Sequence, residues 1–118
     1  MTIKIQFLLE NNKMKSFVPD RIRLTRSLNQ ETGTIVLSFS KVFSIDLLTN
    51  NDKPIIGIYL LGNHLSFFTK DIRCIWKNGK PILIQAIFLI DKKDELNLFL
   101  KIFKDYAKKN GLNNSIID

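Results

Sequence analysis

The 118-residue sequence is poor in the residues that most often carry chemistry. It has one cysteine, Cys74, and one histidine, His64. A single cysteine excludes an intrachain disulfide and indicates a reducing compartment. One cysteine and one histidine cannot complete a structural zinc site, so no bound metal is expected. The composition therefore argues against a disulfide scaffold and against a metalloprotein.

Long apolar runs are also missing. The longest, PILIQAIFLI, has about half of the roughly 20 residues that a membrane-spanning helix needs, and it contains Gln85. The apolar stretch at the N-terminus is short and an acid follows it, so we expect no signal peptide. Any membrane association is therefore expected to be peripheral.

No arrangement of residues indicates a catalytic site. His64 lies in a predicted turn, and the glycine-containing segments ETGT and KNGK are turns, not phosphate-binding loops. Cys74 alternates with Ile72 and Trp76, which predicts a small core side chain and not a nucleophile. The same alternation predicts that Trp76 is buried and does not stack on a ligand. We expect no enzymatic activity and no cofactor.

Positive charge comes mostly from lysine, with a net charge of +7 and an isoelectric point near 9.7. An acidic partner, such as nucleic acid or an anionic membrane, is one interpretation. Heavy use of Ile, Lys, Asn and Phe also suits an AT-rich genome, and we favour this explanation for the lysines. The arginines run against that bias, since three of the four lie in VPDRIRLTRS, residues 18–27.

The first ninety residues have the alternation typical of antiparallel strands. The predicted strands are residues 3–9, 21–26, 34–40, 54–61, 65–77 and 81–90. NNKMKS is interpreted as a polar break, Gly57 as a candidate bulge, and Lys70–Asp71 as a bend within one long strand. The KNGK segment predicts a type I′ hairpin turn, because both central residues accept positive φ. Residues 41–53 fit either a short helical turn or a packed loop.

From Asp91 the period becomes helical. The apolar stripe contains Leu96, Phe99, Leu100, Phe103 and Ala107, with Tyr106 at its margin and Leu98 and Ile102 beside it. Asp91 is the predicted N-cap and Gly111 the predicted C-terminal stop. The predicted fold is α+β: a curved antiparallel meander covered on one face by this helix. We expect one domain over residues 1–112 and a disordered tail over 113–118.

Seven basic residues and one threonine from two strand pairs form the candidate partner-binding site. They are Arg21, Arg23, Thr25, Arg26, Lys70, Arg73, Lys77 and Lys80. Arg21 and Arg23 project from one strand face about 6–7 Å apart. A guanidinium grips a carboxylate or phosphate with two hydrogen bonds, which an ammonium does not. The alternative is that these arginines form ion pairs with Asp71 and Glu31 on a solvated face; the residues alone leave both interpretations open.

Several segments, in order and spacing, resemble the family of small photosystem II accessory proteins known as Psb28. They are PDRIRLTRS, Gly33-Thr34, IGIYLL, TKDIRCIWKNGKP, the helix residues Phe99, Phe103 and Tyr106-Ala107, and NGL at 110–112. The arginine-containing strand and the Asn-Gly-Lys-Pro hairpin are the most specific of these. The resemblance covers nearly the whole chain.

The resemblance implies a non-enzymatic factor in photosystem II biogenesis or repair. Its partners would be core subunits, the larger inner-antenna protein and the reaction-centre proteins, contacted transiently at the stromal or cytoplasmic face of the thylakoid. Family members have also been linked to chlorophyll supply. Two segments depart from the family pattern: GNHLSF replaces an acidic turn, and an apolar residue near Leu96 replaces a tryptophan.

A small nucleic-acid-binding module is the rival hypothesis. Basic charge and strand aromatics allow it. The absence of a glycine-aromatic sheet motif and the predicted burial of Trp76 argue against it.

Overall fold

The computed structural model describes residues 3–9, 14–29, 31–40, 55–62 and 66–112. The described strands form two four-stranded antiparallel sheets, and one helix follows them. The α+β class and the C-terminal helix are confirmed. The predictions for residues 41–53, for the turn that contains His64 and for the tail 113–118 lie outside the described residues.

The elements are β1 (Lys4–Leu9), β2 (Met14–Ser16), β3 (Arg21–Arg26), β4 (Gly33–Phe39), β5 (Ile55–Leu61), β6 (Ser66–Thr69), β7 (Ile72–Lys77), β8 (Lys80–Ile90) and α1 (Lys93–Lys109). The first sheet has the strand order β2-β1-β5-β6, and the second has the order β3-β4-β8-β7. Every strand pairing in both sheets is antiparallel.

Two strand predictions were wrong. The polar break NNKMKS contains β2, which pairs with β1. The single strand predicted over 65–77 is two strands in different sheets. At the corner between them, the Thr69 hydroxyl donates to the Ile87 carbonyl at 2.6 Å and accepts from the Asp71 amide at 3.0 Å. The Asp71 carbonyl accepts in turn from the Ile87 amide. These bonds hold the chain where it passes from the first sheet to the second.

One apolar core lies between the two sheets and the helix. Its largest fully buried side chains are Phe7, Phe39, Phe99, Phe103, Ile5, Ile22, Leu24, Ile35, Leu37, Ile58, Leu60 and Ile90. Ring contacts connect its parts, since Phe7 of β1 meets Phe39 of β4 at 4.8 Å and Phe67 of β6 meets Phe99 of α1 at 4.7 Å. Burying this apolar surface is the main favourable term in folding.

The adjacent residues Phe67 and Phe68 point in opposite directions, as alternation requires. Phe67 packs toward the core, and Phe68 lies outward against Tyr59, with 4.5 Å between the ring centroids. A Cβ atom added at Gly57 would lie 2.1 Å from the Phe68 ring. The predicted bulge is confirmed next to this glycine, where the β1–β5 register shifts. The outward phenylalanine therefore covers a glycine of its own sheet.

The start of α1 differs from the prediction, whereas its end agrees. Asp91 is not the N-cap; Lys92 occupies that position in an extended conformation and makes no side-chain cap bond. The first helical bond runs from the Leu96 amide to the Lys92 carbonyl at 2.9 Å, so the helix is capped one residue beyond Asp91. At the other end Gly111 has a φ of 66°, and the Leu112 amide donates to the Ala107 carbonyl at 2.9 Å. This is a Schellman ending.

The β7–β8 hairpin has the predicted turn but not the predicted burial. Asn78 and Gly79 have φ angles of 53° and 78°, as a type I′ turn requires. Cys74 and Trp76, predicted to be core residues, are exposed. Cys74 lies opposite Ile84 in the strand register. Between Ile84 and the turn, no residue of β8 is buried. β7 is an edge strand, and its hairpin extends beyond the core toward the turn.

We predict that Phe99→Ala lowers the free energy of unfolding by about 3–5 kcal/mol, because it leaves a cavity in the shared core. The matched control is Leu98→Ala, whose side chain is 36% exposed on the same helix and should cost less than about 1.5 kcal/mol. Urea unfolding followed by circular dichroism measures both. Equal losses would contradict the assigned buried face of α1.

Candidate partner-binding surface

The second sheet turns one face to the core and the other outward. Its strand register brings outward residues of different strands into rows. One row contains Arg21, Ser38, Gln85 and Arg73; a second contains Arg23, Val36 and Ile87; a third contains Thr25, Thr34 and Leu89. Ser38 itself is buried, although it alternates with the core residues Leu37 and Phe39. We call these three rows the arginine face.

The first row brings together two arginines from opposite edges of the sheet. Arg21 lies on β3 and Arg73 on β7, separated by three strand spacings, or about 14 Å. Arg23 lies two residues along β3 from Arg21, and both side chains are exposed. Three of the four arginines of the sequence therefore share one surface.

Ion pairing accounts for only one of these three arginines. The Arg73 Nε atom lies 3.8 Å from the Asp71 Oδ1 atom, and both side chains are exposed, so the pair contributes little to stability. Within the described ranges, Arg21 and Arg23 form no ion pair, and Glu31 pairs with neither of them. The ion-pair alternative thus fits Arg73 and not the β3 arginines in this part of the structure.

Arg26 does not belong to the arginine face. Its position in β3 has the same parity as Ile22 and Leu24, which point to the core, and it lies opposite Gly33. The residue is half-buried, and its Nε atom is buried without a hydrogen-bond partner among the described residues. The structure therefore separates Arg26 from Arg21 and Arg23, which the sequence grouped together.

The predicted lysines lie at the β7 side of the sheet. Lys77 and Lys80 are cross-strand partners that flank the hairpin turn, and both are exposed. Lys70 is exposed at the corner between β6 and β7. These lysines are within reach of a partner that contacts Arg73, but they are far from β3.

Apolar residues on the arginine face were missed by the sequence interpretation. Leu89 is 76% exposed, and Val36 and Ile87 are half-buried beside Arg23. The signal was available in the alternation of β8, where Ala86, Phe88 and Ile90 point inward. The arginine face therefore combines guanidinium groups with a modest apolar contact area, as protein-binding surfaces do.

Two kinds of chemical site are at issue among the described residues, a metal-binding cluster and an activated thiol. These residues bring together no group of three or more His, Cys, Asp or Glu side chains that would hold a metal ion. Partial burial raises the pKa of the Cys74 thiol above its ordinary value, so near neutral pH it is not an activated nucleophile. No helix in the described part of the chain is long and apolar enough to cross a membrane.

Comparison with known proteins identifies the family. The family model described as Psb28 protein matches residues 5–114, a range that includes α1 and all strand residues of both sheets except Lys4. This chain belongs to the Psb28 family. A relative from Pyropia yezoensis is 34% identical over 108 residues, 92% of this chain and 91% of the relative. One from Trieres chinensis is 31% identical over 112 residues, 95% of each chain.

A third relative, from Crocosphaera subtropica, is 32% identical over 95 residues, 80% of this chain and 83% of the relative. All three relatives are named photosystem II reaction center Psb28 protein. The resemblance drawn from the sequence motifs is therefore confirmed.

Two residues of the motifs that resemble the Psb28 family have structural roles. The Asp20 carboxylate accepts hydrogen bonds from the backbone amide of Ser40, at 2.5 Å, and from its hydroxyl. A Cβ atom at Gly33 would lie 2.7 Å from the Thr25 carbonyl oxygen and 2.5 Å from Leu96, so only glycine fits without displacement. Asp20 and Gly33 hold the β3–β4 pair that carries Arg21 and Arg23.

We predict that Asp20→Ala lowers the free energy of unfolding by about 1–2 kcal/mol, through loss of both bonds to Ser40. Arg21→Gln, at the next residue, should change it by less than about 0.5 kcal/mol, because that side chain is exposed. Chemical denaturation of the two variants and the parent is the measurement. A large loss in Arg21→Gln would mean that this arginine is structural and not available to a partner.

Proposed function

We propose that this chain is a non-catalytic photosystem II accessory protein that binds assembly intermediates transiently. The proposed partners are core subunits, the larger inner-antenna protein and the reaction-centre proteins. The proposed location is the stromal or cytoplasmic face of the thylakoid, with peripheral attachment. Membership of the Psb28 family and the names of the relatives support this proposal.

The observation that carries the binding mode is the arginine face. Arg21 and Arg23 are exposed, lie two residues apart on one strand and form no ion pair within the described ranges. This arrangement suits bidentate contact with carboxylates of an extended peptide. We propose that such a peptide adds as a strand along an edge of the second sheet, so that backbone hydrogen bonds supply much of the affinity.

Lysines around the β7 edge have a different proposed part. Lys70, Lys77 and Lys80 are exposed and would attract an acidic partner over a distance, which raises the association rate more than the affinity. This contribution is screened by salt, with a Debye length of about 8 Å at physiological ionic strength. Arg26, with its half-buried side chain, would contribute to the shape of the surface more than to direct contact.

One observation keeps the nucleic-acid hypothesis as a second candidate. Trp76 is exposed and next to Lys77, so its predicted burial no longer argues against base stacking. Titration with single-stranded RNA at two salt concentrations tests this candidate, which requires salt-dependent binding. The family relationship makes the accessory-protein role the first choice.

We predict that the double variant Arg21→Lys/Arg23→Lys, which keeps the net charge, binds photosystem II intermediates more weakly. Loss of bidentate geometry should cost about 1–2 kcal/mol, or about five- to thirtyfold in affinity. A pull-down from detergent-solubilised thylakoids, with the bound core subunits identified and quantified, measures the change.

The matched control is Lys101→Gln/Lys108→Gln, which removes two exposed charges from α1 and leaves the arginine face intact. It should bind like the parent at physiological salt. If the arginine-to-lysine variant binds like the parent, or if the α1 control loses binding to the same extent, the guanidinium mechanism is wrong.

A further inference from the structure

The end of the β7–β8 hairpin exposes apolar side chains. We call residues 75–82 the hairpin tip. In it, Trp76 is 61% exposed, Ile82 43% and Ile75 38%. Ile82 has no partner in the strand register, which shifts between Ile75 and Trp76. Neither the core nor the arginine-face rows include Trp76 or Ile82, and the proposed peptide contact does not use them.

These apolar groups lie on both faces of the hairpin. Ile75 follows Arg73 on the outward side, where it pairs with Leu83, and Trp76 follows Cys74 on the opposite side. A flat protein surface covers one face of a hairpin, and a nucleobase stacks on an aromatic ring but not on an isoleucine. Exposed aliphatic and aromatic groups on both faces would all be buried in an apolar environment that surrounds the tip.

The charges at the tip are of one sign. Lys77 and Lys80 flank the turn, Arg73 lies behind them, and the sequence from Ile72 to Ile90 contains no carboxylate. Asp71, the acid that precedes this segment in the sequence, is within ion-pair distance of Arg73. Lysine attracts a phosphate headgroup as a point charge and needs no fixed geometry, and each basic side chain near an anionic membrane surface strengthens binding by about fivefold.

We propose that the hairpin tip inserts into the headgroup region of an anionic lipid bilayer. Trp76, Ile75 and Ile82 would reach the boundary of the acyl chains, where tryptophan is favoured, and Lys77 and Lys80 would contact lipid phosphates. Three strand residues span about 10 Å, which matches the roughly 5–10 Å depth of interfacial insertion. This inference rests on the proposed function in one respect: the proposed function decides which membrane the tip would contact.

The sequence has a single tryptophan, so its fluorescence reports on the tip alone. The full chain is mixed with phosphatidylcholine vesicles that contain or lack phosphatidylglycerol. We expect a blue shift of the emission, quenching by brominated acyl chains and co-sedimentation, all with phosphatidylglycerol vesicles only and all reduced by high salt. Absence of the blue shift and of co-sedimentation would overturn the proposal.

Three variants test the assignment to the tip. Lys77→Gln/Lys80→Gln should lower the vesicle partition coefficient by about 25-fold, because each lysine contributes about fivefold. Trp76→Ala should lower it by about tenfold, for the lost apolar burial. Leu89→Ala, which removes a side chain 76% exposed elsewhere on the same sheet, should leave it unchanged. An equal loss in all three would overturn the proposal.

Two further outcomes separate this inference from the proposed function. Trp76→Ala should still bind photosystem II intermediates in detergent, where no bilayer is present. If that variant loses the intermediates while the parent ignores vesicles, the tip contacts protein and the lipid proposal is wrong. If single-stranded RNA shifts the Trp76 emission and anionic vesicles do not, the tip belongs to a nucleic-acid site and the lipid proposal is likewise wrong.

Discussion

Packing of the two sheets and α1 around one apolar core is the constraint on which the rest of the structure depends. Because strand residues alternate, burying one face of the second sheet places every other residue on its outer face. The register then decides which of these residues become neighbours. Arg21 and Arg73 are distant in sequence, yet they lie in one row because β4 and β8 separate their strands.

The second sheet carries two surfaces of different chemistry. The arginine face presents guanidinium groups with fixed directions, which suit carboxylates held in one geometry. The hairpin tip presents lysines and exposed apolar residues, which suit the surface of an anionic lipid bilayer, where the charged groups have no fixed geometry. The proposed peptide contact at Arg21 and Arg23 and the proposed bilayer contact at Trp76 and Ile82 would use different residues of the same sheet. Lys77 and Lys80 would contribute long-range attraction to both.

Local chemistry made some features predictable and left others open. Asn78 and Gly79 specify their turn because few residues accept positive φ, and Gly111 ends α1 for the same reason. The capping pattern at Asp91 failed because an acid near a helix start favours the helix without fixing its first backbone bond, which here is accepted by the Lys92 carbonyl. The Arg21 and Arg23 pair was correctly placed on one outward face. Alternation along β3 also puts Arg26 on the side of Ile22 and Leu24, a signal that the sequence interpretation did not use, whereas its half-burial depends on tertiary packing.

The sequence by itself determined the alternation of the strands, the hairpin turn, the helix and its end, and the family. These depend on φ preferences and on side-chain periodicity, which are properties of neighbouring residues. Only the tertiary structure decided that residues 65–77 divide between two sheets at Thr69 and that Trp76 is exposed. Alternation specifies which residues share a face, but burial depends on whether another element covers that face, and beyond Ile84 the described core does not reach the hairpin.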